Sequence, residues 1–114
     1  MNELSNPLIS PIKKIGNIIY LSGKTAEGND TGIQTRNIFE EIKNILKDND
    51  SSIQNIVAAT VYLTDINERP KYFNPIWREY FPVNPPTRTC VEVGLAPPSR
   101  VEVTVIATIT DKNI

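Results

Sequence analysis

The hydrophobic positions change period several times along the chain, and each change marks an element. Ile18-Ile19-Tyr20-Leu21 is a short apolar run entered from Gly16-Asn17, a dipeptide suited to a tight turn, and predicts a buried strand. Leu8 to Ile15 is its expected hairpin partner, with Pro11 restricting that partner to an edge or a bulge. Ile38, Ile42, Ile45 and Leu46 then recur at helical spacing and predict a helix running to about Asp48. Thr31-Gly32-Ile33-Gln34, with Thr first and Gln three residues later, has the spacing of a capping box and is expected to open that helix. Ile56 to Leu63 is dense in β-branched residues and reads as a central strand.

Asp65 is the expected cap of a second helix that carries Phe73, Ile76, Trp77, Tyr80 and Phe81 on a single face. Pro75 interrupts it, because proline lacks the N–H a helix needs and its ring crowds the preceding turn, so a kink or an irregular first turn is expected there. Pro82, Pro85 and Pro86 mark the following loop. Two strands close the chain, Thr87 to Val93 and Val101 to Ile109. In the second, Val101, Val103, Val105, Ala107 and Ile109 fall on one face and Glu102, Thr104, Ile106 and Thr108 on the other. The order strand–strand–helix–strand–helix–strand–strand predicts an α+β fold, one sheet with two helices packed on one face. The opposite face then needs a cover, for which a partner subunit is the obvious candidate.

With 114 residues the chain fits a single domain, residues 1–114. A domain this small buries only about two-thirds of its unfolded surface, so association with its own copies adds core the monomer lacks. Twelve basic against 13 acidic residues, spread along the chain, offer no basic stripe for a phosphate backbone, and no nucleic-acid partner is expected. The single cysteine, Cys90, permits no intrachain disulfide and points to a reducing compartment. Met1 to Ser10 lacks the pattern of a secretory leader, and no apolar run approaches the roughly 20 residues that span a bilayer. No membrane partner is expected, and the cytoplasm is the expected location.

The chain contains no histidine. That removes the commonest general base and metal ligand, and with them Ser-His-Asp triads, histidine-based zinc sites and the paired-histidine ribonuclease mechanism. Chemistry must rest on carboxylates, Arg, Lys, Tyr, one Cys or bound water.

Five segments, in order, resemble the YjgF/RidA family of reactive intermediate deaminases. They are Gly16-Asn17-Ile18-Ile19-Tyr20-Leu21-Ser22-Gly23, Val61-Tyr62-Leu63-Thr64-Asp65, Asn74 with Tyr80-Phe81, Pro86 to Val93, and Val101 to Ala107. The resemblance implies a chorismate-mutase-like (YjgF-like) fold and a homotrimer that binds a small-molecule carboxylate between subunits. It also implies hydrolysis of 2-imino and 2-enamino acids to 2-oxo acids and ammonia without a metal or organic cofactor.

Carried onto this sequence, the resemblance makes Arg88 the anchor of the substrate carboxylate, and a guanidinium fork suits that task because it grips both oxygens and stays charged. It makes Gly23 a backbone N–H donor to the same group, and Cys90 a residue whose main chain, not its thiol, faces the ligand. No second cysteine or histidine is available to activate the Cys90 thiol. Strand alternation puts Arg88 and Cys90 on one face. Ser22 could donate a hydroxyl; Asn74 divides evenly between ligand contact and local capping; Trp77 is first of all a core or interface residue.

Three positions depart from the family pattern. Thr104 stands where deaminating members carry a water-orienting glutamate, and a hydroxyl holds water but takes up no proton near neutral pH. Glu102, two residues earlier on the same face and roughly 6.5–7 Å away along the strand, is not expected to substitute for it. Ile9 replaces a frequent tyrosine, and Lys24 a glutamine. Lys24 is expected near Arg88, where a second cation suits a dicarboxylate. The expected activity is therefore imine/enamine deamination with Arg88 and Thr104 as the reacting-site residues, the alternative being a non-catalytic carboxylate-binding or regulatory protein of the same fold.

Overall fold

The computed structural model describes residues 7–109. The outermost parts of the leader reading and of the 1–114 domain, residues 1–6 and 110–114, lie outside the described residues. Strand β1 (Ile12–Ile15) and strand β2 (Ile18–Leu21) form the hairpin, followed by helix α1 (Thr31–Lys47), strand β3 (Ile56–Leu63), helix α2 (Asn74–Tyr80), strand β4 (Thr87–Glu92) and strand β5 (Val101–Thr108). They build one five-stranded sheet in the order β1-β2-β5-β3-β4, with β3 and β4 parallel and the other pairs antiparallel. The expected α+β architecture is the observed one.

The hairpin turns on Gly16 at φ +57°, a glycine leading a two-residue loop as the right-handed strand twist requires. β1 starts at Ile12, immediately after Pro11, and lies at the sheet edge where a missing N–H costs least. Alternation along β5 sends Val101, Val103, Val105 and Ala107 into the core, where they meet Ile38, Phe39, Ile42 and Leu46 of α1. In β3 the register shifts between Ile56 and Ala58, leaving Val57 exposed and turning Ala59, Val61 and Leu63 inward. The other face of the sheet presents Tyr20, Thr60, Tyr62, Glu102, Thr104 and Ile106, each at least partly exposed, and no element of the described chain covers it.

Two expected helix starts are corrected. The cap of α1 is Asp30, whose carboxylate accepts from the N–H of Ile33 at 2.8 Å, and no Thr31/Gln34 capping box forms. Thr31 instead donates its hydroxyl to Glu68, and the buried Gln34 bonds Gly28 O, Pro98 O and Arg100 N, tying α1 to the loop before β5. Asp65 caps only a 3-10 turn, Ile66–Glu68, which passes into a π-helical turn, Arg69–Phe73, before α2 begins. Pro75 sits in the first turn of α2, where its lost N–H has no helical partner to miss, and the chain before it widens rather than crowd the proline ring. The helix is thus short, but its apolar side survives: Phe39 of α1 contacts Phe73, Trp77, Tyr80 and Phe81 with ring centroids 5.1–6.4 Å apart.

Candidate carboxylate-binding site

Arg88 lies on β4 opposite Ala59 of β3, so its side chain rises on the helix-covered side at the sheet edge. The π turn sets the start of α2 so that Asn74 faces it, and Arg88 Nη1 donates to Asn74 Oδ1 at 2.9 Å. The guanidinium carbon stands 4.9 Å from the Trp77 ring centroid and 5.6 Å from that of Phe73. A cation stacked on two aromatic faces and held by one amide oxygen is fixed in direction, with the remaining N–H groups of its fork free to donate. Sequence reasoning left Asn74 undecided between ligand contact and capping. It caps nothing through its side chain; it orients Arg88.

Beside Arg88 opens a cleft of about 590 Å³. Asn74, Trp77, Arg78 and Phe81 line one wall at positions i, i+3, i+4 and i+7, and Arg88, Pro82 and Pro85 complete it. Cys90, two residues along the strand from Arg88, pairs with Val61 on the same side. Burial pushes its thiol above the ordinary range, with Arg88 and then Arg69 partly opposing the rise, so the sulfur stays protonated at neutral pH. It has the character of a packing residue, not a nucleophile.

A second group forms on the other side of the sheet. Lys24 pairs with Val103 through both backbone bonds, Lys24 N to Val103 O at 2.8 Å and Val103 N to Lys24 O at 3.0 Å, which lays Gly23 beside β5. A Cβ added at Gly23 would overlap the Glu102 carboxylate and lie 3.0 Å from its Cδ and 3.1 Å from Thr104 Oγ1. Glu102 and Thr104 therefore converge on the one residue that has no side chain to keep them away. The strand spacing separates the backbones of Glu102 and Thr104, but both side chains reach the same glycine. The signal was present in the sequence as a glycine opposite a Glu-x-Thr pair.

Lys24 is also corrected. Alternation puts its side chain on the face opposite Gly23, where Nζ stands 3.8 Å from Oε1 of Glu41 on α1. Within one chain β5 and β3 separate it from Arg88 on β4, so it adds no charge to the cleft beside that chain's own Arg88. The Ser22 hydroxyl already donates to Ser10 O at 2.7 Å, closing the base of the hairpin, and Ile9 is exposed. Among the described residues, no cluster of three or more acidic, cysteine or histidine side chains is placed to hold a metal, and no helix is long and apolar enough to cross a membrane.

The fold and these residues define a small α+β protein with an oriented arginine beside an open cleft at a sheet edge. The family model described as Endoribonuclease L-PSP matches residues 4–109, and the chain belongs to this family, which includes the YjgF and RidA proteins. It is 36% identical over 96 residues to the 3-aminoacrylate deaminase RutC of Acinetobacter baylyi, covering 77% of this chain and 75% of that one. It is 33% identical over 92 residues to protein HMF1 of Saccharomyces cerevisiae, covering 74% and 70%. Among solved structures, a YjgF-family member from Neisseria meningitidis superposes with a TM-score of 0.86 at 28% identity, covering 93% of this chain and 91% of that one. RidA from an Antarctic Psychrobacter gives 0.83 at 26% identity, covering 91% and 90%.

Proposed function

We propose that the protein hydrolyses reactive 2-imino and 2-enamino acids to 2-oxo acids and ammonia, in clefts formed between the subunits of a homotrimer. The observation that carries this reading is the pre-set guanidinium of Arg88, bonded by Asn74 and stacked on Trp77 with donors free toward an open cleft. The deaminase name of the Acinetobacter relative supports the reaction class. Arg88 holds the substrate carboxylate, the Gly23 N–H and the main chain at Cys90 add donors, and no cofactor is required.

The two groups of residues explain why a second subunit is needed. Arg88 lies on the helix side at the β4 edge, whereas Gly23, Glu102 and Thr104 lie on the uncovered face, with β3 between β4 and β5. Strand spacing alone separates β4 from β5 by about 10 Å, and the sheet itself stands between the two faces. One small substrate cannot touch both within a chain. Packing the uncovered face of one copy against the Arg88 edge of another joins them and covers the exposed sheet. Ser22, committed to Ser10, and Lys24, committed to Glu41, then serve to hold the Gly23 backbone in place.

In that composite site the iminium carbon is already electrophilic, and positioning supplies much of the rate. A water held by Thr104 Oγ1 adds to the carbon as Glu102 accepts its proton and the C=N π electrons pass to nitrogen. Glu102 returns the proton to the nitrogen, and the C–N bond breaks as the hydroxyl oxygen forms the carbonyl. The hydroxyl proton leaves with the ammonia as ammonium. Enamine substrates reach the same point after protonation on carbon.

A second reading, a carboxylate-binding protein without turnover, is favoured by the family resemblance, which implies a glutamate at the position of Thr104; the Glu102 carboxylate over Gly23 counts against it. The nuclease of the family description finds no support in a chain without histidine and with a net charge of −1. Ammonia release from freshly generated 2-imino acids, with ligand binding measured in parallel, tests the reading. Turnover above the spontaneous rate sustains the enzyme, and binding without turnover hands the case to the second reading.

A further inference from the structure

We propose that the cleft beside Arg88 is built for a ligand with two anionic groups, and that Arg78 is the anchor for the second. The proposal rests on the reading that Arg88 holds a carboxylate, and it names the class of substrate: a small imine or enamine carrying one carboxylate at the reacting carbon and another farther along the chain.

Arg78 follows Asn74 by four residues, so the two side chains rise from the same wall of the cleft about 5–6 Å apart at Cβ. Asn74 meets Arg88 directly, which places the two guanidinium groups over one volume. Neither has a carboxylate partner: among the described residues the ion pairs are Lys24–Glu41 and Arg36–Glu79, and no acidic residue lines the cleft. Glu79, the neighbour of Arg78 in sequence, is held on the other side of the helix by both nitrogens of Arg36, at 2.9 and 3.0 Å. Its charge is spent there.

The two arginines also differ in a way that suits two tasks. Arg88 is half-buried, stacked and bonded, hence fixed; Arg78 is exposed on a flexible stem. A fixed anchor sets the reacting end, and a mobile one accepts a second anion over a range of chain lengths. Two unneutralised cations facing one cleft repel each other, and a dianion relieves that repulsion where a monoanion relieves half of it. The walls between them are apolar, Trp77 and Phe81, matching the carbon chain that would join two carboxylates.

Succinate and butanoate, unreactive and of equal carbon count, are the probes, titrated calorimetrically into the assembled protein. The wild type should bind succinate about fivefold more tightly than butanoate at low salt, the increment of one partly exposed charge pair. The gap should narrow as salt is added. Arg78→Gln should bring succinate down to the affinity of butanoate, Arg78→Lys should keep part of the gap, and Lys43→Gln, a charge removed outside the cleft, should keep all of it. Equal affinities in the wild type, or a gap that survives Arg78→Gln, overturns the proposal. Failure of the underlying reading shows separately, as butanoate affinity unchanged in Arg88→Gln.

Discussion

Replacing Gly23 with alanine should disable the reaction while leaving the fold in place. Gly23 has no positive φ, so its backbone accepts an L side chain, and the consequence of the substitution lies in what the new methyl meets. The overlap is with the outer atoms of Glu102, the movable end of a flexible side chain, and the methyl would also press on Thr104 Oγ1 at 3.1 Å. Glu102 must swing away. Forcing it off its preferred rotamer costs about 0.5–1.5 kcal/mol. At 4–8 °C per kcal/mol for a domain near this size, the melting temperature should fall by less than about 12 °C. A displaced general base forfeits about 10²–10⁴ in rate, so turnover should fall at least a hundredfold. Ammonia release and thermal unfolding, measured on Gly23→Ala, Glu102→Gln and the double variant, decide the matter. Because both substitutions disable one group, the double variant should be no slower than Glu102→Gln alone. Wild-type turnover in Gly23→Ala, or losses that multiply in the double variant, refutes the assignment of Glu102.

Further outcomes follow from other contacts. Asn74→Ala removes a hydrogen bond to a charged group worth about 1.5–3 kcal/mol, and steady-state kinetics should show it chiefly as a KM raised tenfold or more, the proposed role of Arg88 being to hold the substrate before and during reaction. Cys90 should react with iodoacetamide more slowly at pH 7.5 than a free cysteine does, and Arg88→Gln should slow it further by removing the largest charge that opposes the burial effect. Burial and the Glu40 contact raise the Tyr80 hydroxyl from 10.0 to about 12, so its contribution to stability is fully present below pH 10 and is lost as the pH climbs toward 12. Melting curves from pH 8 to 11.5 should show that decline in the wild type and a shallower one in Tyr80→Phe.

Much of this arrangement was legible in the sequence because period and punctuation agree. Alternation in Val101 to Ile109 named the core face and the open face correctly, Pro11 marked the start of an edge strand, and Pro75 marked a real irregularity before α2. Arg88 and Cys90 were placed on one side by the same alternation. What failed were questions that strand spacing does not answer. Lys24 follows Gly23 directly, so alternation already sends it to the opposite face, and no resemblance to a neighbouring glutamine changes that. Backbone separation along β5 likewise does not reveal that the Glu102 carboxylate reaches Gly23 beside Thr104. Asp30 outcompeted Thr31 as the helix cap because Thr31 is buried against Glu68, a partner 37 residues away that local pattern cannot reveal. Arg78 carried no signal until the π turn and the short α2 fixed which wall of the cleft it occupies.

The central claim is that the site is shared: Arg88 comes from one copy, Gly23, Glu102 and Thr104 from another. Mixing tests it most directly. Arg88→Ala and Glu102→Gln are each prepared alone and also refolded together in equal amounts, and ammonia release from one 2-imino acid is followed for all three samples. Each variant alone should be inactive at every cleft, whereas random assembly leaves both residues intact in about one cleft in four, so the mixture should recover about a quarter of the wild-type rate. A mixture of co-assembled subunits as inactive as its components would contradict the account, placing both residues in the service of a single chain.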